Sequence, residues 1–180
     1  IGIFTITMAC DKENGTFKTY KISGTAQKGP YIIGTNITIS ELNSDLTPTG
    51  KNYYTTIIDK FGTFEMPDVK FSSNYVKLIA DGNYFNEIRG NNEQQRLTLA
   101  SIANLNDSTS ININILTHLE TDRLEYLINN TGLSFNEAKI KAQGEILSIF
   151  NFDPEYTINS EFMDLIKTGD DNAKLLAISS

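Results

Sequence analysis

Along most of this chain, apolar and polar residues alternate. From residue 115 onward the apolar positions recur at helical spacing instead. Alternation marks half-buried strands, and a three-to-four-residue period marks amphipathic helices. Residues 20–27 alternate and end at Lys28-Gly29-Pro30, a turn signal. Residues 36–42 place an apolar side chain at every second position, and Thr47-Pro48-Thr49-Gly50 reads as the next turn. Residues 53–58 are β-branched and aromatic, and after Asp59-Lys60-Phe61-Gly62 the run 63–66 is the expected returning strand. Residues 75–80 and 84–88 flank Asp81-Gly82, which predicts a hairpin. Gly90-Asn91-Asn92 turns again, and residues 96–102 and 110–114 complete about seven short strands, the spacing of a β-sandwich.

The helical part begins with Ile115, Leu116, Leu119, Leu124, Leu127 and Ile128 on one face, closed by Asn130-Thr131-Gly132. Ser134 and Glu137 have capping-box spacing before a second stripe of Phe135, Ala138, Ala142, Ile146 and Ile149, which Asp153-Pro154 breaks. Ile158, Phe162, Leu165 and Ile166 predict a third, shorter helix, and residues 173–178 the first turns of a fourth. The sequence stops inside that apolar run, and it starts without an initiator Met, so the expectation is a fragment truncated at both ends.

The opening differs from both patterns. Residues 1–9 carry no charge and are mostly apolar; Cys10 follows, then the polar, flexible Asp11-Lys12-Glu13-Asn14-Gly15. With small Ala9 before the cysteine, this resembles the end of a signal peptide and a bacterial lipobox, although Thr7 stands where Leu is usual. Under that reading Cys10 carries lipid, anchored by about 0.8 kcal/mol per buried methylene. The alternatives are a core strand with a buried thiol, or the tail of a transmembrane helix begun upstream. The abrupt change at the sole cysteine favours lipidation. Residues 10–18 then serve as the lipidated tether.

Charge and composition narrow the function. A net charge of −7 and a pI near 4.7 disfavour binding to a phosphate backbone. One Cys and one His exclude an internal disulfide, a multi-cysteine metal site and a two-histidine zinc motif. His118 has no motif around it that supplies a nucleophile, and reads as a helix-start histidine. Glu41, Asp45, Asp59, Asp81 and Glu87 fall in the β region, mostly at turns, where Asp has a backbone role. Asp81-Gly82-Asn83 with Asn86-Glu87 gathers oxygen ligands, making a calcium site conceivable, but without EF-hand spacing. No catalytic residue, metal ligand or cofactor is assigned. The aromatic pairs Tyr53-Tyr54 and Tyr84-Phe85 each turn one ring outward from a regular strand. Tyr53, Tyr54 and Tyr84 are therefore the candidate ligand contacts, against the plain alternative of tyrosines that simply favour strands.

The strings Gly24-Thr25-Ala26-Gln27-Lys28-Gly29-Pro30-Tyr31-Ile32-Ile33-Gly34, Ala80-Asp81-Gly82-Asn83-Tyr84-Phe85-Asn86-Glu87 and Asn112-Ile113-Asn114-Ile115-Leu116-Thr117-His118-Leu119 resemble a family of uncharacterised lipoproteins of Bacteroidota and myxobacteria. More loosely, the β part resembles the carboxypeptidase regulatory-like domain, a small transthyretin-like sandwich. That resemblance implies an exported module without peptidase activity, and no established activity comes with either family. The expected architecture is α+β. A transthyretin- or Ig-like antiparallel β-sandwich over 19–114 is followed by a small α-helical bundle over 115–180. The expected function is a non-enzymatic lipoprotein of the cell envelope, at the outer membrane on its periplasmic or outward face, acting as scaffold or binding module. Its expected partners are the membrane through Cys10, and glycans or surface proteins. The alternatives are a glycan-binding module of a polysaccharide-capture system and a carboxylate-dependent hydrolase.

Overall fold

A computed structural model describes residues 17–180, apart from 87–88, 93–94 and 156. Cys10 and the apolar opening lie outside the described residues. The fold is α+β, with strands ahead of helices. The strands are β1 (Lys18–Gln27), β2 (Asn36–Leu42), β3 (Pro48–Thr56), β4 (Thr63–Phe71), β5 (Tyr75–Gly82), β6 (Phe85–Asn86), β7 (Asn91–Asn92), β8 (Leu97–Asn104) and β9 (Ile113–Asn114). The helices are α1 (Ile115–Thr131), α2 (Phe135–Ile149) and α3 (Asp170–Ser179), with a 3-10 turn at Ser160–Phe162 before α3. Among the described residues no helix is long and apolar enough to cross a membrane.

One sheet is antiparallel in the order β3-β2-β5-β8. The other has the order β4-β1-β9, with β1 antiparallel to β4 and parallel to β9. A short β6–β7 ribbon stands apart. Inward residues of both sheets share one apolar cluster: Ile22, Phe64 and Phe71 from one, Ile37, Ile39, Leu78 and Leu99 from the other. The helical region has a small cluster of its own, Leu116, Leu147, Met163 and Leu175, and also packs on the sheet region. Leu124 and Leu127 of α1 and Ala138 and Ala142 of α2 pack with Leu42, Leu46 and Ile102 in a second cluster.

Side-chain hydroxyls reach the terminal strands. Thr55 and Tyr53 of β3 donate to the carbonyls of Glu65 and Lys70 on β4, at 2.8 Å each. Thr117 of α1 donates to the Ala100 carbonyl of β8 at 2.8 Å.

Several sequence expectations are met. Strand β2 has the expected bounds, Ser134 and Glu137 form the reciprocal capping box of α2, and Gly132 ends α1 in the left-handed conformation at φ 68°. Others are corrected. Thr47-Pro48-Thr49-Gly50 is not a turn: the chain reverses at Asn43–Leu46, and Pro48 opens β3, where a terminal strand tolerates the missing N–H. Residues 63–66 do not return against β3; they belong to β4, which pairs with β1 in the other sheet. Asp81-Gly82 makes no hairpin, because β5 runs through both residues and pairs with β8. Gly82 is needed for close approach instead, since a Cβ there would sit 2.7 Å from the Thr35 side chain.

The predicted third helix is also absent. Residues 158–166 keep only the 3-10 turn, and Ile158, Phe162 and Ile166 are exposed. Their backbone donors find side chains rather than a helical ladder. Ser160 N–H donates to Gln143, Asp164 N–H to Asn172, and Leu165 N–H to Gln27, at 3.1, 2.8 and 2.9 Å. Leu119 and Ile149, assigned to buried stripes, face solvent, while the charged Glu120 and Lys139 are buried.

Candidate functional site

The outer face of the β4-β1-β9 sheet carries a polar cleft of about 370 Å³. It follows from the alternation of β1: Ile22, Gly24 and Ala26 point inward, so Ser23 and Thr25 point out. Register then builds two polar rows. Glu65 and Ser110 flank Ser23 in one row; Thr63 and Asn112 flank Thr25 in the next. Asn112 fixes the second row by accepting from the Thr25 N–H at 2.9 Å and its hydroxyl at 3.0 Å. Gly24 permits this closeness, because a Cβ there would stand 1.8 Å from the Ile111 carbonyl oxygen.

The wall of the cleft is the stretch from Glu161 to Lys167. It is pinned to the floor by Asn112, whose N–H donates to the Glu161 carbonyl at 2.9 Å and whose amide donates to the Met163 carbonyl at 3.0 Å. Gln27, fully buried, donates to Asp164 at 3.0 Å. Glu161 and Asp164 are themselves more than nine-tenths buried. Phe162 stands on the wall with 39% of its surface exposed.

Behind the wall lies a sealed charge cluster. The Lys139 ammonium meets Glu120 at 2.7 Å and Glu161 at 3.0 Å, with the Ser160 hydroxyl 2.7 Å from Glu120. Burial opposes the charge on Lys139, but the two carboxylates outweigh it and hold its pKa up. Burial also pushes the Glu120 carboxyl up, against the pull of Lys139. One Glu120 oxygen, Oε1, has no hydrogen-bond partner. A second buried carboxylate behaves oppositely. Burial pushes Glu41 up, but donors from Ser73, Thr49 and Ser72 bring it down to about 2.

The residues singled out in the sequence lie elsewhere. Tyr53 packs edge-on against Phe71 at 5.1 Å, with its hydroxyl spent on β4. Tyr54 is 69% exposed on β3. Tyr84 leans on Tyr31 at 6.3 Å and lines a small cavity of about 60 Å³ with Lys28 and Leu176. His118 is exposed on α1. Asp81 accepts from Arg96 at 2.6 Å and Thr98 at 3.1 Å, which depresses its pKa, the Arg96 hydrogen bond contributing most. Asp45 and Asp59 cap turns by accepting from the N–H groups of Thr47 and Phe61. Among the described residues no three His, Cys, Asp or Glu side chains gather for a metal ion.

Sequence reasoning missed the cleft because its parts come from four distant stretches. The available signal was the outward Ser23 and Thr25 of an alternating strand, interrupted by Gly24. Comparison with protein-family models, with curated proteins and with solved structures gives no match to this chain.

Proposed function

We propose that this chain is a non-enzymatic lipoprotein of the bacterial cell envelope, held at a membrane by lipid on Cys10 and working as a scaffold or binding module. In this reading the two sheets form a sandwich of the transthyretin or Ig-like kind, related to the carboxypeptidase regulatory-like domain. The polar cleft is the observation that carries the binding role. Its floor and wall are fixed by hydrogen bonds from buried side chains, so the recess exists before any ligand arrives and little ordering is lost on binding. The net charge of −7 directs the partner away from nucleic acid.

A carboxylate-dependent hydrolase is the alternative, since Glu65, Glu161 and Asp164 line the same cleft. Each is already engaged by a lysine, Lys21, Lys139 and Lys167 respectively, which favours a structural role for them.

The test is membrane partitioning of the product of the full open reading frame, expressed in a bacterial host. The parent is expected in the membrane fraction and Cys10→Ser in the soluble one. A Cys10→Ser protein that still sediments with membranes overturns the anchor.

A further inference from the structure

We infer that the cleft on the outer face of β4-β1-β9 takes a neutral sugar, one or two rings of an oligosaccharide. The inference rests on the binding-module reading and supplies its ligand class. Four observations select that class. The volume, about 370 Å³, lies at the lower end for small-molecule pockets. The floor offers the hydroxyls of Ser23 and Ser110, which bond to no other side chain or backbone group among the described residues. A hydroxyl both donates and accepts, so such a pair suits the alternating demands of a polyol.

The β4 side of the cleft then offers the half-exposed Glu65 carboxylate as acceptor, and the wall the exposed Lys167 as donor. Vicinal sugar hydroxyls can satisfy both at once. Finally, Phe162 presents a partly exposed ring beside these groups, a face against which the apolar side of a sugar ring can lie. The other ligand classes fit less well. An anion would meet three carboxylates, and a cation would find those carboxylates already paired with Lys21, Lys139 and Lys167. An apolar ligand would leave the Ser23 and Ser110 hydroxyls without water or partner.

The candidate contacts therefore move from the strand tyrosines to Phe162 and the serine floor. Tyr54, the most exposed of those tyrosines, is on the other sheet and lines no part of this cleft.

The experiment is calorimetric titration of the full chain with gluco-, xylo-, manno- and galacto-configured tetrasaccharides, with oligogalacturonate and chitosan oligomers as charged comparisons. At least one neutral tetrasaccharide is expected to bind with Kd between micromolar and millimolar. Phe162→Ala should weaken it by roughly tenfold or more. Ser110→Leu, which fills the cleft from an exposed position, should abolish binding while leaving the melting temperature unchanged. Tyr54→Ala should have no effect. Binding of charged oligomers alone, no heat from any neutral sugar, or binding lost in Tyr54→Ala but retained in Phe162→Ala would each overturn the inference. Chain-length analysis of the sugars after incubation provides a separate readout. Intact sugars are expected, and shortened products would overturn the non-enzymatic reading instead. Failure of sugar binding leaves the Cys10 partitioning result standing, so the two readings fail separately.

Discussion

Glu41 in the sheet region and Glu120 in the helical region are the same side chain, both buried, and their environments push them in opposite directions. Glu41 is surrounded by donors. Ser72 gives its N–H and hydroxyl, Ser73 its N–H and Thr49 its hydroxyl, with the Lys51 ammonium 3.3 Å away. Glu120 shares one ammonium with Glu161 and leaves Oε1 bare. Both carboxyls lose their water on burial. Glu120 lies much deeper than Glu41 and has two donors where Glu41 has five, so both desolvation and donor number push the two carboxyls apart. The sheet glutamate is a satisfied anion that ties the β2 backbone to the 72–73 turn. The helical glutamate is one of two acids in a cluster short of positive charge.

The largest way to break this contrast is Lys139→Met. Removing the Lys139 cation from two buried carboxylates is expected to cost about 3–5 kcal/mol at neutral pH, measured by denaturant unfolding. Part of the loss should return in acid, where the carboxyls take up protons. Next come the paired amides. Glu41→Gln places an NH₂ group against donors and should cost about 2–3 kcal/mol. Glu120→Gln removes a poorly compensated charge and should cost at least about 1 kcal/mol less than Glu41→Gln in the same assay. Equal losses would mean that the two sites are alike.

The pH dependence sharpens the comparison. Glu41 has a folded pKa of about 2 against an ordinary 4.5, so its contribution is present above 4.5 and is lost as pH falls toward 2. The Glu120 carboxyl is raised, so its contribution is full below the ordinary 4.5 and is lost as pH rises through the folded value. Melting temperature against pH should therefore lose part of its fall below 4.5 in Glu41→Gln and part of its fall above 4.5 in Glu120→Gln. The smallest expected effect is Ser134→Ala, about 1 kcal/mol, from loss of the α2 cap near this cluster.

The capping box at Ser134 and Glu137 was legible in the sequence because both partners lie within one helical turn. So were β2 and the Gly132 stop, each a local signal. Asp81-Gly82 misled because the same dipeptide serves a hairpin or a close approach, and Thr35, far away in the chain, decides which. Residues 158–166 had helical spacing, but Gln27, Gln143 and Asn172 supply what a helix would have supplied. The Glu120–Lys139–Glu161 cluster was invisible for a related reason. An amphipathic pattern assigns charge to water, and only tertiary placement shows a charge turned inward. The cleft shared both difficulties, being assembled from residues near 23, 63, 110 and 161.

The hydroxyls of Tyr53, Thr55 and Thr117 bear on how copies of this protein behave when crowded together. Each occupies a main-chain acceptor on a terminal strand, the kind of group through which strands of neighbouring molecules join into aggregates. Three side-chain oxygens thus act as stoppers against intermolecular sheet growth.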